Sequence, residues 1–201
     1  MDSFSGKLPD IAVVRDRCRS LAMLDAILSP DWEGRYYSFD SRWGEGEEVA
    51  SMRDGCGSDW FMVFTSTGVY ARGFDRAVPN SPDLLNQVPD IFRAYVEEPS
   101  FTDYDGSPIV TICFWREVSD SAWRIAMTQE GGEDLFALLA EGTAEAYREW
   151  AEEYYEIELD LKVVQHIFSL HPITREVALS LNPEVDLALL AQDIAEIGYP
   201  E

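Results

Sequence analysis

Three polar residues stand next to the ends of predicted strands, where side chains from neighbouring strands can meet around a ligand. They are Arg53, Arg72 and Asp75. A few convergent polar groups in an otherwise apolar pocket are typical of small-molecule sites. One hypothesis is therefore a small-molecule binder or enzyme whose pocket lies between the aromatic strands and a helical layer. Five aromatic residues near the first strand could also line a pocket: Trp32, Tyr36, Tyr37, Phe39 and Trp43. Aromatic side chains in strands more often pack in a core.

A second candidate site is an acidic surface. Between Glu130 and Asp160 the chain has eleven acidic residues and one basic residue, Arg148, so this segment carries −10 of a total charge of −23. Helical periodicity after Thr143 predicts that one side faces the core, with Tyr147, Trp150, Ala151, Tyr154 and Tyr155. The other side then presents to solvent Glu145, Glu149, Glu152, Glu153 and Glu156.

The three cysteines do not form a disulfide pattern, because they are odd in number and widely spaced. Cys56 lies in a glycine-containing turn between Asp54 and Asp59, whose charges oppose thiolate formation. We interpret the turn that contains Cys56 as the tip of a hairpin. Cys18 and Cys113 fall on apolar faces and are predicted to be buried. The sequence thus predicts three free thiols.

No motif for a cofactor or metal is present. His166 and His171 are the only histidines, and their spacing fits no zinc motif. Phosphate-binding glycine loops and the usual nucleophile motifs are also missing from the sequence. We therefore predict no metal, no cofactor and no catalytic residues, and favour a non-enzymatic protein.

The elements that would hold these residues follow from hydrophobic periodicity. Apolar residues recur at threes and fours from Ile11 to Leu28 and predict a first helix, with Asp25 among its polar positions. Short aromatic and β-branched segments joined by tight turns predict an antiparallel meander, over residues 35–39, 47–53, 60–65 and 69–74. Residues 109–115 are apolar on both alternating faces, which predicts a central strand covered on both sides, paired with residues 122–127.

Helices dominate the rest of the chain. Ser81 and Pro82 predict a helix start, and Pro89 predicts a kink or two short helices before residue 97. After residue 133 every periodic segment is helical, and Gly198 is predicted to end the last helix. The sequence predicts an α+β fold in one domain, residues 1–201, with a mainly antiparallel sheet packed with helices and an all-helical C-terminal third.

Composition limits the classes of partner. The 201 residues are 46% hydrophobic and 26% charged, as in globular proteins. Strong negative charge argues against binding nucleic acid or an anionic lipid surface. No leader-like segment and no apolar run of spanning length is found in the sequence. The simplest expectation is a cytoplasmic protein.

Three short segments carry a resemblance. They are the run Ala50-Ser51-Met52-Arg53-Asp54-Gly55, then Arg72-Gly73-Phe74-Asp75, and finally Ile197-Gly198-Tyr199-Pro200. Together they resemble a group of uncharacterised bacterial, actinobacterial-like proteins of unassigned function, over most of the chain. In that group we expect a His-Glu pair and a proline after Asp75, whereas this chain has Arg76-Ala77-Val78-Pro79. The resemblance implies a bacterial, cytoplasmic protein.

The sequence leaves two functional hypotheses open. The first is a non-enzymatic acidic binding protein, similar in profile to immunity proteins that neutralise a basic toxin domain through complementary potentials. An acidic face kept for solubility fits the same residues. The second is the small-molecule binder or enzyme with a pocket near Arg53, Arg72 and Asp75.

Overall fold

The six strands of the chain follow one another in space as they do in sequence. The structure is a computed structural model and describes residues 4–97, 102–103, 106–128 and 131–201, so Glu130 lies outside it. Within these ranges one antiparallel sheet has the order β1-β2-β3-β4-β5-β6, which confirms the meander and its extension. The strands are β1 (Tyr37–Gly44), β2 (Glu47–Arg53), β3 (Asp59–Phe64), β4 (Gly68–Phe74), β5 (Ile112–Glu117) and β6 (Arg124–Met127).

Most helical residues lie before β1 or after β6, which confirms the α+β class and the helical C-terminal region. The α-helices are α1 (Phe4–Lys7), α2 (Ile11–Leu28), α3 (Arg93–Val96), α4 (Ala137–Glu141), α5 (Ala144–Tyr155), α6 (Leu161–Phe168), α7 (Arg175–Leu181) and α8 (Leu187–Ile197). Short 3₁₀ helices cover Trp32–Gly34, Pro82–Gln87, Asp90–Phe92 and Glu133–Phe136. In the part of the chain that the structure describes, every helix is too short or too polar to cross a membrane.

The first face of the sheet packs against the long helix α2 and the C-terminal helices. Side chains alternate between the two faces of a strand, so Phe39, Met62 and Phe114 point to this side. The matching apolar stripe of α2 includes Leu21 and Leu24, both buried. This is the larger of the two hydrophobic clusters.

On its second face, the sheet is covered over β3, β4 and β5 by residues that follow β4. Phe61, Tyr70 and Trp115 pack there against buried residues such as Leu85 and Phe92. Between residues 82 and 96 the chain forms two 3₁₀ helices and the short helix α3 rather than one α-helix. Proline at position 89 lacks an N–H and fixes its own backbone angle, so the predicted interruption there is confirmed. Ser81 is the N-cap residue and Pro82 begins the helix, as predicted. The Ser81 hydroxyl makes no capping bond, because it donates to the Pro79 carbonyl instead.

Strand β5 is covered on both sides, as predicted. Ile112 and Phe114 face the α2 side, and Cys113 and Trp115 face the other. Strand β5 begins at Ile112, three residues after its predicted start at residue 109.

The late start of β5 follows from hydrogen bonds to residues about thirty positions earlier. The Val110 amide donates to the Asn80 side chain, and the Val110 carbonyl accepts from the Ser81 amide. These bonds pair residue 110 with the loop before the 3₁₀ helix Pro82–Gln87 rather than with a strand. Strand β1, in contrast, runs beyond its predicted end to Gly44.

The three thiols should differ sharply in reactivity. Cys18 and Cys113 are buried and Cys56 is exposed, and all three are free. Burial raises the pKa of Cys113 to about 12 and that of Cys18 further. Maleimide labelling of the native protein, followed by mass spectrometry, should modify Cys56 alone, and all three thiols should react in urea. Native labelling of Cys18 or Cys113 at the rate of Cys56 would contradict this packing.

Candidate functional site

A buried carboxylate joins helix α2, the start of β1 and helix α5. Asp25 is fully buried on α2. One of its oxygens accepts the amides of Tyr37, at 2.7 Å, and Tyr36, at 3.0 Å. The other oxygen accepts the Tyr147 hydroxyl at 2.8 Å. The sequence had placed Asp25 on the polar side of its helix, which is wrong, because β1 and α5 close over that side.

Burial raises the pKa of Asp25 to about 6, and the hydrogen bonds from Tyr37 and Tyr147 partly oppose that rise. The Tyr155 hydroxyl is close to the same carboxylate, and burial and the charge of Asp25 raise its pKa. A group so enclosed holds elements in place and does not meet a substrate. The role of Asp25 is to position the start of β1 and helix α5, which carry the side chains at the surface.

An aromatic patch lies on the solvent side of this junction. We define it as Tyr36, Trp150 and Tyr154. The rings of Trp150 and Tyr154 stack with centroids 5.0 Å apart, and Tyr36 lies 4.8 Å from Trp150 and 5.1 Å from Tyr154. Tyr154 is 44% exposed. Its predicted core-facing position is therefore wrong, since α5 ends one residue later and its last turn projects past the core.

Helix α5 carries an acidic ridge beside this patch, which we define as Glu145, Glu149, Glu153 and Glu156. Thr143 caps the helix as predicted, by accepting the Ala146 amide. The first three acids are spaced four residues apart and so lie on one stripe of the helix, and all four are exposed. Glu156 ends the helix in the left-handed conformation.

Glu152 differs from the other acids of the predicted surface. It is half-buried, and its carboxylate accepts the Leu159 amide at 2.9 Å, which fastens the loop between α5 and α6. Its nearest cation is Arg148, one turn earlier on α5, at 4.0 Å. Glu152 therefore has a structural role, and the solvent-facing charge comes from the acidic ridge.

Arg53, Arg72 and Asp75 share one end of the sheet. The Arg53 guanidinium lies 4.0 Å from the centre of the Trp32 ring. Arg72 is buried, donates to the Val96 carbonyl at 3.4 Å and lines a cavity of about 60 Å³.

Asp75 closes its own turn. Its carboxylate accepts the Ala77 amide at 2.8 Å, and its amide donates to the Thr111 hydroxyl. Asp59, which the sequence analysis did not single out, lines the small cavity together with Arg72. Arg53 and Asp75 are not among the described residues that line that cavity. A shared ligand role for Arg53, Arg72 and Asp75 stays a prediction.

The two histidines lie together at the end of α6. Their ring centroids are 5.1 Å apart, and the His166 ring is 2.9 Å from the Pro172 carbonyl. Among the residues that the structure describes, no three histidine, cysteine or acidic side chains are grouped as metal ligands would be.

Comparisons with protein families, with curated proteins and with solved structures find no match for this chain.

Substituting Asp25 should change how stability depends on pH. A folded pKa near 6 and an unfolded pKa near 4 mean that the native state holds this proton longer. This group therefore lowers stability as pH rises from about 4 to about 6, by about 3 kcal/mol in total. Asp25→Asn has no such titration. Urea unfolding at pH 4 and pH 7 should show the wild type losing about 2 kcal/mol relative to the variant, because the unfolded carboxyl is already about half ionised at pH 4.

The other carboxyl groups are common to both proteins, so their titration cancels in this difference. A wild-type to variant difference that stays constant with pH would mean that the pKa of Asp25 is not raised.

Proposed function

We propose that this protein is a non-enzymatic binding protein whose partner is a basic protein, and that the partner docks on the acidic ridge and the aromatic patch. The observation that carries the proposal is the exposed Tyr154 ring, which is stacked on Trp150 and flanked on the same helix by Glu149 and Glu153. Aromatic side chains are enriched in interaction surfaces, where they lie inside a polar rim and contribute most of the binding energy.

The two parts of this surface would contribute differently. Carboxylates attract a basic partner over a distance and speed its association. Aromatic rings that already stack on one another lose little conformational freedom on binding, and their faces attract lysine and arginine side chains. The acidic ridge would then set the rate of encounter, and the aromatic patch would hold the complex.

The energetics of α5 also favour a binding role. Like charges one turn apart destabilise an isolated helix by about 0.2–0.5 kcal/mol per pair. Glu145, Glu149 and Glu153 make two such pairs on one stripe. A cation from a partner would relieve this repulsion, so the ridge gains more from a basic surface than scattered carboxylates would.

Within this class we favour an immunity-like protein that neutralises a basic toxin domain. A total charge of −23 suits fast capture of a strongly basic protein. Neutralisation needs a surface that covers the partner and no catalytic group of its own. At the alternative site, Arg72 donates to the Val96 carbonyl and the Asp75 carboxylate accepts the Ala77 amide, so both groups already have partners within the protein.

Charge reversal tests the acidic ridge. The double variant Glu149→Lys/Glu153→Lys should slow association with the basic partner by about tenfold or more at low salt, because four charge units change where the partner arrives. The control is Asp83→Lys/Glu184→Lys, the same change at two exposed acids away from α5. Each protein would be immobilised as bait for an extract of the native host, and the captured partner purified for kinetics.

Tyr154→Ala should leave the association rate unchanged and speed dissociation, as expected for a contact residue. Equal capture by the wild type, the ridge variant and the control would contradict the proposal and leave the ridge a solvated exterior. Capture that is lost equally in the control would show general charge attraction rather than a site.

A further inference from the structure

Part of the second face of the sheet is left uncovered by the residues that the structure describes. The segment with the two 3₁₀ helices and α3 packs on that face over Phe61, Tyr70 and Trp115 of β3 to β5. On the same face of β1 and β2 there is instead a cleft of about 230 Å³. Its floor includes Ser38 and Ser51, cross-strand partners whose hydroxyls are 2.7 Å apart.

Two tryptophans line this cleft and remain accessible. Trp32 is 51% exposed and Trp43 is 37% exposed. Neither ring is loose: the Arg53 guanidinium lies 4.0 Å from the Trp32 ring centre, and Tyr95 lies 6.4 Å from Trp43. Indole rings held in place and left partly uncovered are suited to receive a ligand group on their faces.

Two carboxylates, Asp40 and Glu196, also line the cleft. Glu196 comes from the end of α8, which the Ser41 hydroxyl holds at the β1 edge by donating to the Glu196 carbonyl at 2.7 Å. Burial and then the charges of Asp40 and Asp193 raise the pKa of Glu196, against the influence of Arg35.

The cleft's own charge is unbalanced. Arg35 is engaged with Asp193 through two hydrogen bonds, of 2.8 and 2.9 Å. Among the described residues that line the cleft, none is basic. The Arg53 guanidinium, 4.0 Å from the centre of the Trp32 ring, already contacts one lining ring. A cationic ligand would therefore use the exposed remainder of Trp32 and balance the charges of Asp40 and Glu196.

We propose that this cleft binds an alkylammonium group, with the indoles of Trp32 and Trp43 against its carbon-bearing surface and Asp40 and Glu196 balancing its charge. Tryptophan is the strongest of the aromatic side chains in cation–π contacts, and the aromatic cages for choline and methyl-lysine use this chemistry. A neutral ligand could stack on the indoles but would leave the two carboxylates unbalanced. This proposal does not depend on the proposed function, since the residues of the cleft are separate from the acidic ridge and the aromatic patch.

Two sources could supply such a group: a free small amine, or a lysine side chain of another protein. Choline and Nα-acetyl-lysine amide represent them in solution. Tighter binding of choline would support the proposal and assign the site to a free quaternary amine. Tighter binding of the lysine amide would support it and assign the site to a protein side chain.

The test is a titration of the full chain, labelled with ¹⁵N, that follows the indole N–H resonances at pH 7 and low salt. Choline should shift the Trp32 and Trp43 resonances in a saturable way. Its uncharged carbon isostere, 3,3-dimethylbutan-1-ol, should not. Trp32→Phe and Trp43→Phe assign the two resonances.

Asp40→Asn and Glu196→Gln should each weaken choline binding by roughly fivefold, the order expected for one charge partner near the surface. Both keep the shape of the side chain, so folding is preserved. The side-chain oxygen that remains in Asp40→Asn can still accept the Arg42 amide that Asp40 accepts now. Glu184→Gln, which removes one exposed charge elsewhere, should bind choline as the wild type does.

Three results would overturn the proposal. Equal shifts from choline and its neutral isostere would show a site that does not sense charge. Shifts from maltose without shifts from choline would show a carbohydrate site instead. No saturable shift from choline or the lysine amide would show that the cleft is not a site for alkylammonium groups.

Discussion

The hydrogen bonds to the Asp25 carboxylate are the constraint on which the rest of the structure depends. Strand β1 is an edge strand, and the outward N–H groups of an edge have no strand partner. Asp25 accepts the amides of Tyr36 and Tyr37 at the start of β1, and the Tyr147 hydroxyl from α5. The long helix α2, the edge strand β1 and the acidic helix α5 are therefore joined through the single side chain of Asp25.

Other polar contacts extend this arrangement around α2. Arg17 donates to the carbonyls of Leu139 and Ala140 near the C-terminal end of α4, where a cation is favourable. The carbonyl of Ile167 near the end of α6 accepts both the Ser20 and the Tyr199 hydroxyls. These bonds add partners to carbonyls at helix ends, where intrahelical partners run out. The Ile167 carbonyl also accepts the Leu170 amide. The helical layer is thus held by specific bonds as well as by apolar packing.

Both surfaces that we consider functional lie at the β1 edge because of this arrangement. The Tyr36 amide donates to the Asp25 carboxylate, and this hydrogen bond sets the position of Tyr36, against which the Tyr154 ring packs. The same edge carries Asp40 and receives the end of α8. Strand β1 has sheet on one side only, so its outer side and both of its ends can meet a ligand or partner.

The sequence predicted the elements whose formation depends on hydrophobic periodicity and on turn or cap residues within the same segment. Helix α2 and strand β2 have the predicted bounds, and Gly198 has the positive φ expected of a helix-ending glycine. The double coverage of β5 also followed from its apolar run.

The sequence did not reveal what depends on distant partners. Asp25 is one of the polar positions in the helical pattern of α2, yet residues 11 to 122 positions away enclose it. The start of β5 depends on Asn80, thirty residues earlier. The cleft was foreseen only as an aromatic cluster, because the carboxylate of Glu196 comes from the other end of the chain.

A double-mutant cycle between Asp25 and Tyr147 tests the central claim most directly. The unfolding free energies of the wild type, Asp25→Asn, Tyr147→Phe and the double variant would be measured in urea at pH 7. If the carboxylate joins α2 to α5, the two changes should be coupled by about 1–3 kcal/mol. Effects that add to within about 0.5 kcal/mol would contradict the account, because residues that share a buried hydrogen bond cannot act independently.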